Sequence, residues 1–370
     1  MKMTFRWYGE NVDTIPLRHI RQIPGVEGVV WALHDIPAGE CWPIARIEEV
    51  KAQAAKYNFN TDVVESVNVH EDIKLGLPSR KKYIENYKDT LKNLGRAGVK
   101  VVCYNFMPVF DWTRTDLYKP QSDGSTALFY EKAKVDSINP IEFLEQMSKQ
   151  EGLLTMPGWE PERLSKIKEL FKAYEGVKED ELWENLKYFL QEIIPAAQES
   201  GIKMAIHPDD PPWSIFGLPR IITCRDNIKK FLNLVDNPSN GLTLCSGSLG
   251  SCIKNDVAAM VREFGDRIYF AHIRNIRHFE NGDFTETSHK TSDGSLDITE
   301  IVKAYHDIGY KYYVRPDHGR HIWDEKPRPG YGLYDRSLGI MYIFGLWDAF
   351  EKISNVQKGG VWSGTKRWLS

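Results

Sequence analysis

Short runs of β-branched and aromatic residues recur along the chain, separated by segments with helical periodicity. The runs do not alternate cleanly between apolar and polar residues, which is typical of parallel strands buried on both faces. Eight such strands are predicted, over 4–9, 28–33, 63–69, 99–107, 203–209, 242–247, 268–275 and 312–319. Apolar residues spaced three or four apart predict helices over 43–57, 79–94, 181–198, 226–235, 255–264, 297–308 and 334–353.

The alternation of strands and helices indicates the fold class. A repeated strand–helix order predicts a parallel sheet, and eight strands in that order favour closure into a (β/α)8 TIM barrel. The length of 370 residues would also suit two or three domains of about 150 residues each. The eight regular units favour the barrel instead, so we predict a single α/β domain over 1–370.

One connection is much longer than the others. Residues 110–200 separate the fourth predicted strand from the fifth, which far exceeds a normal crossover. The first part of this segment is polar and aromatic and suits a loop or a hairpin, whereas 140–151 and 161–174 read as helices. We therefore predict a largely helical insertion over 110–200 that forms a cap on the C-terminal side of the barrel.

Charge and composition exclude several classes of partner. Lysine and arginine number 48 against 51 acidic residues, for a net charge of -3, so no overall field attracts nucleic acid or anionic lipid. The longest uncharged apolar stretch, 339–347, is too short to span a membrane. The start of the chain lacks the apolar region of a secretory signal. An odd count of 5 cysteines argues against a disulfide framework, and we expect a cytoplasmic protein.

Four residues that can ligate a metal end four consecutive predicted strands. They are His207, Cys245, His272 and Asp317. Each alone has a plainer interpretation, because strand-end histidines, buried cysteines and turn-forming aspartates are common. Their occurrence at equivalent positions of neighbouring strands favours convergence on one divalent ion at the C-terminal face, where barrel active sites form.

Other polar and aromatic residues are predicted at the same rim. His318 directly follows Asp317 and suits proton transfer, since the pKa of histidine lies near neutrality. Tyr331 and Tyr334 lie on a Gly/Pro-rich loop before the last helix. Further candidates for contact with a substrate are Asn105, Asp209, Arg274, Asn275 and Arg320, with Asp210 and Trp213 also at the rim. No phosphate-binding or dinucleotide-binding glycine motif is found, so no nucleotide cofactor is expected.

Seven sequence motifs together resemble the mannonate dehydratases, metal-dependent barrel enzymes of hexuronate (glucuronate) breakdown. The motifs are RWYG at 6–9, WALHDIPAGE at 31–40, AIHPDDPP at 205–212, LCSGSLG at 244–250, FAHIRN at 270–275, RPDHGR at 315–320 and PGYG at 329–332. The resemblance extends over 5–347 and implies dehydration of D-mannonate to 2-dehydro-3-deoxy-D-gluconate. It also implies Mn(II) or Fe(II) as the metal, held by the four residues named above.

The resemblance further implies that His318 and Tyr331 are the acid–base pair, with Tyr334 a nearby alternative to Tyr331. The residues leave open which group removes the proton on C2 and which protonates the departing hydroxyl on C3. A phenol stays protonated at neutral pH, which favours Tyr331 as the acid. A homo-oligomer, either a dimer or a tetramer, is also expected.

Two other functions remain open from the sequence. A metal-dependent sugar isomerase on the same barrel would gather histidines and carboxylates at the strand ends, although Cys245 is unusual for a carboxylate-rich site. A barrel that holds a structural metal and binds carbohydrate without turnover is the second alternative. The Asp-His-Gly-Arg run at 317–320 favours catalysis over this alternative.

Overall fold

The computed structural model describes residues 1–10, 12–143, 146 and 167–357 of the chain. Within these residues, eight parallel strands form a closed barrel in the order β1-β12-β9-β8-β7-β4-β3-β2. The barrel strands are β1 (Lys2–Arg6), β2 (Val26–Trp31), β3 (Asn60–Glu65), β4 (Val101–Tyr104), β7 (Lys203–Ile206), β8 (Asn240–Cys245), β9 (Ile268–Ile273) and β12 (Tyr313–Pro316). The prediction of a TIM barrel is confirmed.

Helices connect the strands and cover the outside of the barrel. In chain order they are α1 (Leu17–Ile20), α2 (Ile44–Ala55), α3 (Glu71–Lys74), α4 (Arg80–Arg96), α5 (Lys132–Ser137), α6 (Ile167–Tyr174), α7 (Glu179–Glu199), α8 (Arg225–Leu234), α9 (Ser246–Gly250), α10 (Val257–Phe264), α11 (Ile298–Asp307) and α12 (Tyr334–Gln357). No helix in the described part of the chain is long and apolar enough to cross a membrane.

Burial on both faces explains the unbroken apolar runs of the strands. One large cluster of buried side chains, which includes Phe5, Val64 and Ile206, packs with helix residues such as Leu91 and Phe189. A smaller buried cluster contains barrel-strand residues such as Val30, Val63 and Phe270. A parallel strand packed on two sides has no solvent-facing positions, so apolar residues occupy nearly every place.

The long connection between β4 and β7 is partly a hairpin. Its strands β5 (Asp116–Pro120) and β6 (Thr126–Tyr130) pair antiparallel. The connection after β9 supplies two more strands, β10 (Ile276–His278) and β11 (Phe284–Glu286), and β11 pairs with β6. The resulting sheet has the order β10-β11-β6-β5. This sheet, which joins two separate connections, was not predicted from the sequence.

Helix predictions in the insertion are only partly within the described residues. The helix predicted over 140–151 lies mostly outside them, as does the start of the one predicted over 161–174, whose described part is α6. Several predicted strands also run too far. The third strand ends at Glu65 rather than at residue 69, because the residues after it turn into the loop that lines the barrel mouth.

Candidate metal centre and active site

Four potential metal ligands lie together at the C-terminal mouth of the barrel. His207 directly follows β7, and Asp317 directly follows β12. Cys245 ends β8 and pairs in register with His272 of β9. One ligand atom from each residue lies within 4.8 Å of a ligand atom from every other one. Two imidazoles, a thiol and a carboxylate this close together fit a single divalent ion.

Hydrogen bonds prepare three of these groups for ligation. His207 Nδ1 lies 2.7 Å from the carbonyl oxygen of Pro208, which makes Nδ1 the donor and leaves the Nε2 lone pair free. Cys245 Sγ accepts from the backbone N–H of Ser248 at 3.4 Å and lies 3.3 Å from Asp317 Oδ2. Burial by itself raises the pKa of Asp317. Arg315 and other neighbouring groups lower it by a larger amount, so the pKa lies well below its usual value.

The surroundings of His272 test whether the site fits a metal. His272 Nδ1 faces Asp317 at 3.8 Å, whereas Nε2 lies 3.5 Å from Glu65 Oε2. That buried carboxylate oxygen has no hydrogen-bond partner, and Arg315 Nε instead donates to His272 Nε2 at 3.0 Å. If Nδ1 ligates a metal, the proton moves to Nε2, and Arg315 can then no longer donate to that nitrogen. The Nε2 N–H needs an acceptor instead, and carboxylates commonly accept from ligating histidines. The unpartnered Glu65 oxygen supplies that acceptor, so the residues present fit a metal ion.

A histidine and a tyrosine lie beside the candidate ligands. His318 Nε2 is 3.2 Å from Tyr331 Oη, and the two rings meet edge to face. On its other side, His318 Nδ1 is 3.3 Å from Glu286 Oε1. The carboxylate favours a proton on Nδ1, so Nε2 presents its lone pair toward Tyr331. Burial and the neighbouring Tyr8 raise the pKa of Tyr331 well above its ordinary value, which keeps its phenol protonated.

Glu286 belongs to a buried network of charges behind the site. Its carboxylate accepts from Arg114 Nη2 at 2.8 Å and from Arg274 Nη1 at 2.6 Å. Both arginines also bond Asp210, and Arg274 Nε donates to Asp317 Oδ2 at 2.8 Å. Burial raises the pKa of Glu286, yet the two arginines bring it down to about 2. Paired and hydrogen-bonded in this way, buried charges can hold neighbouring groups in one geometry.

Two of the four candidate ligands, His207 and Asp317, line a cavity of about 680 Å³ at the barrel mouth, a volume that includes space open to solvent. We call the ends of β7, β8, β9 and β12 the ligand half, since they carry the four candidate ligands. The ends of β1, β2, β3 and β4, with the loops that follow them, form the β1–β4 half. That half lines the cavity with Arg6, Leu33, His34, Glu65, Ser66, Asn68, Cys103, Asn105 and Met107.

The structure brings some of the sequence-predicted site residues into the cavity. His207, Asp317, His318, Tyr331 and Asn105 all line it. Asn105 Nδ2 also donates to Asp111, another lining residue, at 2.8 Å.

The other predicted substrate contacts lie outside the cavity lining. Asp209 is buried and accepts from the backbone N–H groups of Ile221 and Ile222. Arg274 is fully buried in the charge network, and the Asn275 side chain bonds backbone groups of the loop up to residue 296.

Arg320 and Tyr334 also lie outside the lining. Arg320 pairs with Asp123 and Asp335. Tyr334, exposed at the start of α12, contacts the ring of Trp323. The placement favours Tyr331 over Tyr334 as a residue that reaches a ligand, because only Tyr331 lines the cavity and contacts His318.

Sequence reasoning missed Arg6, His34, Glu65 and Glu286. Glu286 lies on β11, a strand of three residues that no pattern in the sequence marks. Arg6 stands in the RWYG motif and His34 in WALHDIPAGE. Their place in these motifs, within the first predicted strand for Arg6 and directly after the second for His34, was the available signal.

A closed parallel barrel whose mouth gathers four metal donors beside a His–Tyr pair defines a metal-dependent TIM-barrel enzyme. Comparison with known proteins agrees with this class. The family model for D-mannonate dehydratase (UxuA) matches residues 1–357. The chain belongs to the D-mannonate dehydratase family, a family of metal-dependent hydro-lyases that act on a sugar acid.

Individual relatives are similar over nearly their whole length. A mannonate dehydratase of Endomicrobium trichonymphae is 92% identical over 359 residues, covering 97% of this chain and 99% of the relative. Mannonate dehydratase 1 of Halalkalibacterium halodurans is 66% identical, covering 95% and 97%. The crystal structure of mannonate dehydratase from Streptococcus suis serotype2 superposes with a TM-score of 0.87 at 43% identity, covering 100% of this chain and 99% of that one.

Proposed function

We propose that the cavity dehydrates D-mannonate to 2-dehydro-3-deoxy-D-gluconate, with His318 and Tyr331 as the acid–base pair. The observation that carries this proposal is the 3.2 Å contact between His318 Nε2 and Tyr331 Oη, both of which line the cavity together with His207 and Asp317 of the four-residue cluster. Dehydration of a 2,3-dihydroxy acid needs one group to remove the C2 proton and another to protonate the leaving hydroxyl. The pair supplies one of each.

The two proton transfers follow from the hydrogen bonds. Glu286 holds the proton of His318 on Nδ1, so Nε2 is the base that takes the C2 proton. Tyr331, whose raised pKa keeps it a phenol, donates its proton to the C3 oxygen. The C3–O bond breaks and water leaves. The resulting enol loses the proton of its C2 hydroxyl and gains a proton at C3, which gives the 2-keto acid. The proton that His318 took from C2 makes up for the one that Tyr331 gave to the leaving water, so all atoms are accounted for.

His207, Cys245, His272 and Asp317 would hold the metal, and we propose Mn(II) or Fe(II). A divalent ion supplies a positive charge that stabilises the negative charge developing on the sugar acid. Thiolate is a softer ligand than Mn(II) usually prefers, whereas imidazole suits iron. The donor set alone therefore does not select between Mn(II) and Fe(II), and the availability of each metal decides which one is bound. No nucleotide cofactor enters the proposal.

The family match supports dehydration rather than the sugar isomerase considered from the sequence. Turnover tests it directly. Protein stripped of metal and then supplied with Mn(II) or Fe(II) is expected to release a 2-keto-3-deoxy acid from D-mannonate, and no product from ketoses. If neither metal restores product, the proposal fails.

Solvent deuterium separates the two proton-transfer roles. Tyr331→Phe leaves the base intact, so it is expected to exchange the C2 proton of D-mannonate with D2O while eliminating little water. His318→Asn is expected to lose both exchange and elimination. The assignment of base and acid is reversed if Tyr331→Phe alone abolishes exchange.

Assembly and location complete the proposal. We infer a homo-oligomer, a dimer or a tetramer, in the cytoplasm. Sedimentation of the purified chain tests the first inference, with a monomer as the contrary result, and fractionation of the source cells tests the second.

A further inference from the structure

Arg6 is a buried cation that forms no ion pair with a carboxylate in the described part of the chain. It ends β1, is 3% exposed and lines the cavity. Its Nη1 has no hydrogen-bond partner, and its Nη2 lies 3.4 Å from the ring nitrogen Nε2 of His34. Among the described residues, no carboxylate oxygen forms an ion pair with it within 4.0 Å. A buried charge without a partner is costly, so its retention at a binding cavity points to a ligand.

The other arginines around the site contrast with Arg6. Arg315 also lines the cavity, but its guanidinium pairs with Glu65 at 3.0 Å and with Asp317 at 2.9 Å. Arg114 and Arg274 each bond two carboxylates. Their charges are therefore offset by the protein itself. Two arginines line the cavity, Arg6 and Arg315, and in the described part of the chain only Arg315 forms ion pairs. The guanidinium of Arg6 is therefore available to an anion that enters from solvent.

Neither of the side chains that contact the Arg6 guanidinium, His34 and Tyr8, carries a negative charge. Burial, with Arg6 and Arg328 nearby, holds the pKa of His34 well below its ordinary value, so this imidazole stays neutral. Cζ of the Arg6 guanidinium lies over the ring of Tyr8, 4.7 Å from the ring centroid, and Tyr8 in turn meets Tyr331 edge to face. This contact restrains the guanidinium, and the planar fork of its N–H groups matches a carboxylate.

We propose that Arg6 binds the carboxylate of the sugar acid and thereby makes the cavity selective for acids over neutral polyols. The inference rests on the proposed function for the identity of the acid. Its Nη1 N–H donates to a carboxylate oxygen, and the guanidinium charge offsets the negative charge that grows on the carboxylate as the C2 proton leaves. Arg6 is thus a specificity-determining residue on the β1–β4 half.

D-Mannitol provides the matched neutral ligand, since it carries a CH2OH group in place of the carboxylate. With metal-loaded protein, Arg6→Met is expected to raise the KM for D-mannonate by on the order of 100-fold. The inhibition constant of D-mannitol is expected to stay unchanged. Arg6→Lys keeps the charge but not the fork, so its KM for the acid should rise by about ten-fold. Calorimetry of both ligands on metal-free protein gives a second measurement that does not depend on turnover.

The outcomes separate this inference from the proposed function. A wild-type chain that prefers the acid in calorimetry but does not dehydrate it supports the Arg6 proposal and rejects the reaction. A wild-type chain with no preference for the acid over mannitol overturns the Arg6 proposal, whatever its activity. So does an Arg6→Met variant that loses both ligands in parallel or keeps full selectivity. If Arg6→Met does not fold, Arg6→Lys decides by whether it lowers the preference.

Discussion

The two halves of the barrel mouth are built from different kinds of residue. The ligand half brings four metal donors within 4.8 Å of one another, and its carboxylate Asp317 is paired with Arg274 and Arg315. The β1–β4 half instead presents polar groups with unmet hydrogen-bonding capacity, notably Arg6 Nη1 and Glu65 Oε2. One half is thus arranged to hold an ion, whereas the other keeps two hydrogen-bonding atoms in reserve, Glu65 Oε2 for the metal-bound form of His272 and Arg6 Nη1 for a group from outside the protein. Effects of substitution in the two halves should therefore be separable.

The largest effect is expected from the ligand half. His272→Ala removes one of four donors and leaves Glu65 and Arg315 without the ring between them. We expect loss of bound metal after dialysis, measured by elemental analysis, and a fall in turnover of D-mannonate of about a thousand-fold or more.

His19→Ala is the matched control, because His19 lies on α1 and does not line the cavity. It should keep both metal and activity. Arg6→Met provides the complementary case, since it should retain metal and lose affinity for the acid. The division into halves is wrong if His272→Ala keeps its metal or if Arg6→Met loses it.

A smaller effect is expected from substitution of Glu286, the residue of the buried charge network that contacts His318. Glu286→Gln removes the carboxylate that holds the proton on His318 Nδ1, and kcat is expected to fall by about 100-fold. Nitrogen NMR of the histidine rings in metal-free protein should show the Nδ1–H form of His318 in the wild type and its depletion in the variant.

Asp210→Asn is the control for stability in that experiment. Asp210 pairs with the same two arginines as Glu286 but has no hydrogen bond to His318. Both variants should lower the melting temperature, since each leaves buried arginine charge less well offset. A His318 spectrum that changes equally in both variants would show that Glu286 acts only through stability.

The barrel, and the convergence of the four candidate ligands at its mouth, could be predicted from the sequence for a physical reason. Strands buried on both faces produce runs that stand out in any sequence, and parallel closure forces their carboxyl ends together. Histidine, cysteine and aspartate at those ends are distinctive residue types. His207, Cys245, His272 and Asp317 could therefore be grouped before any coordinates were known.

The β1–β4 half and the network around Glu286 could not be found in this way. Arg6 and Glu65 belong to the commonest surface residue types, and what marks them as unusual is the burial of the Arg6 side chain and of the Oε2 atom of Glu65. Glu286 reaches His318 because β11 pairs with β6 from a distant connection. Long-range pairing of short strands leaves almost no local pattern. The pairing of Arg274 with Asp210 and Glu286 likewise joins separate segments and leaves no local pattern.

A more modest effect is expected from substitution of Glu65, which belongs to the β1–β4 half and contacts His272 of the ligand half. Glu65→Gln keeps the shape of the side chain but removes the negative charge that makes His272 a stronger metal ligand. The Kd for Mn(II) should therefore rise by about ten-fold. Asp62→Asn is the control on the same strand, because Asp62 accepts from Tyr313 and does not line the cavity. Equal weakening of Mn(II) binding in both variants would remove Glu65 from any role at the metal.

The smallest effect concerns the loop after β12, which carries His318 at one end and Tyr331 at the other. His321 holds this loop, because its Nε2 accepts from the backbone N–H of Gly330 at 2.8 Å and its Nδ1 contacts Thr126 at 3.0 Å. Burial lowers the pKa of His321 to about 4, against the opposing effect of Asp335. The folded state therefore binds fewer protons than the unfolded state between the ordinary value of 6.5 and about 4.

The free energy of unfolding should therefore fall as the pH drops from 6.5 to about 4, by about 1.4 kcal/mol per pH unit for this group. Above this range the stabilising contribution of neutral His321 is fully present. The unfolding midpoints of the metal-free wild type and of His321→Gln, compared from pH 7 to pH 4, isolate the contribution, since every other titrating group is common to both. The variant is expected to be less sensitive to acid. Parallel curves would mean that His321 does not hold the loop as a neutral acceptor, and the position of Tyr331 between the two halves would then need another support.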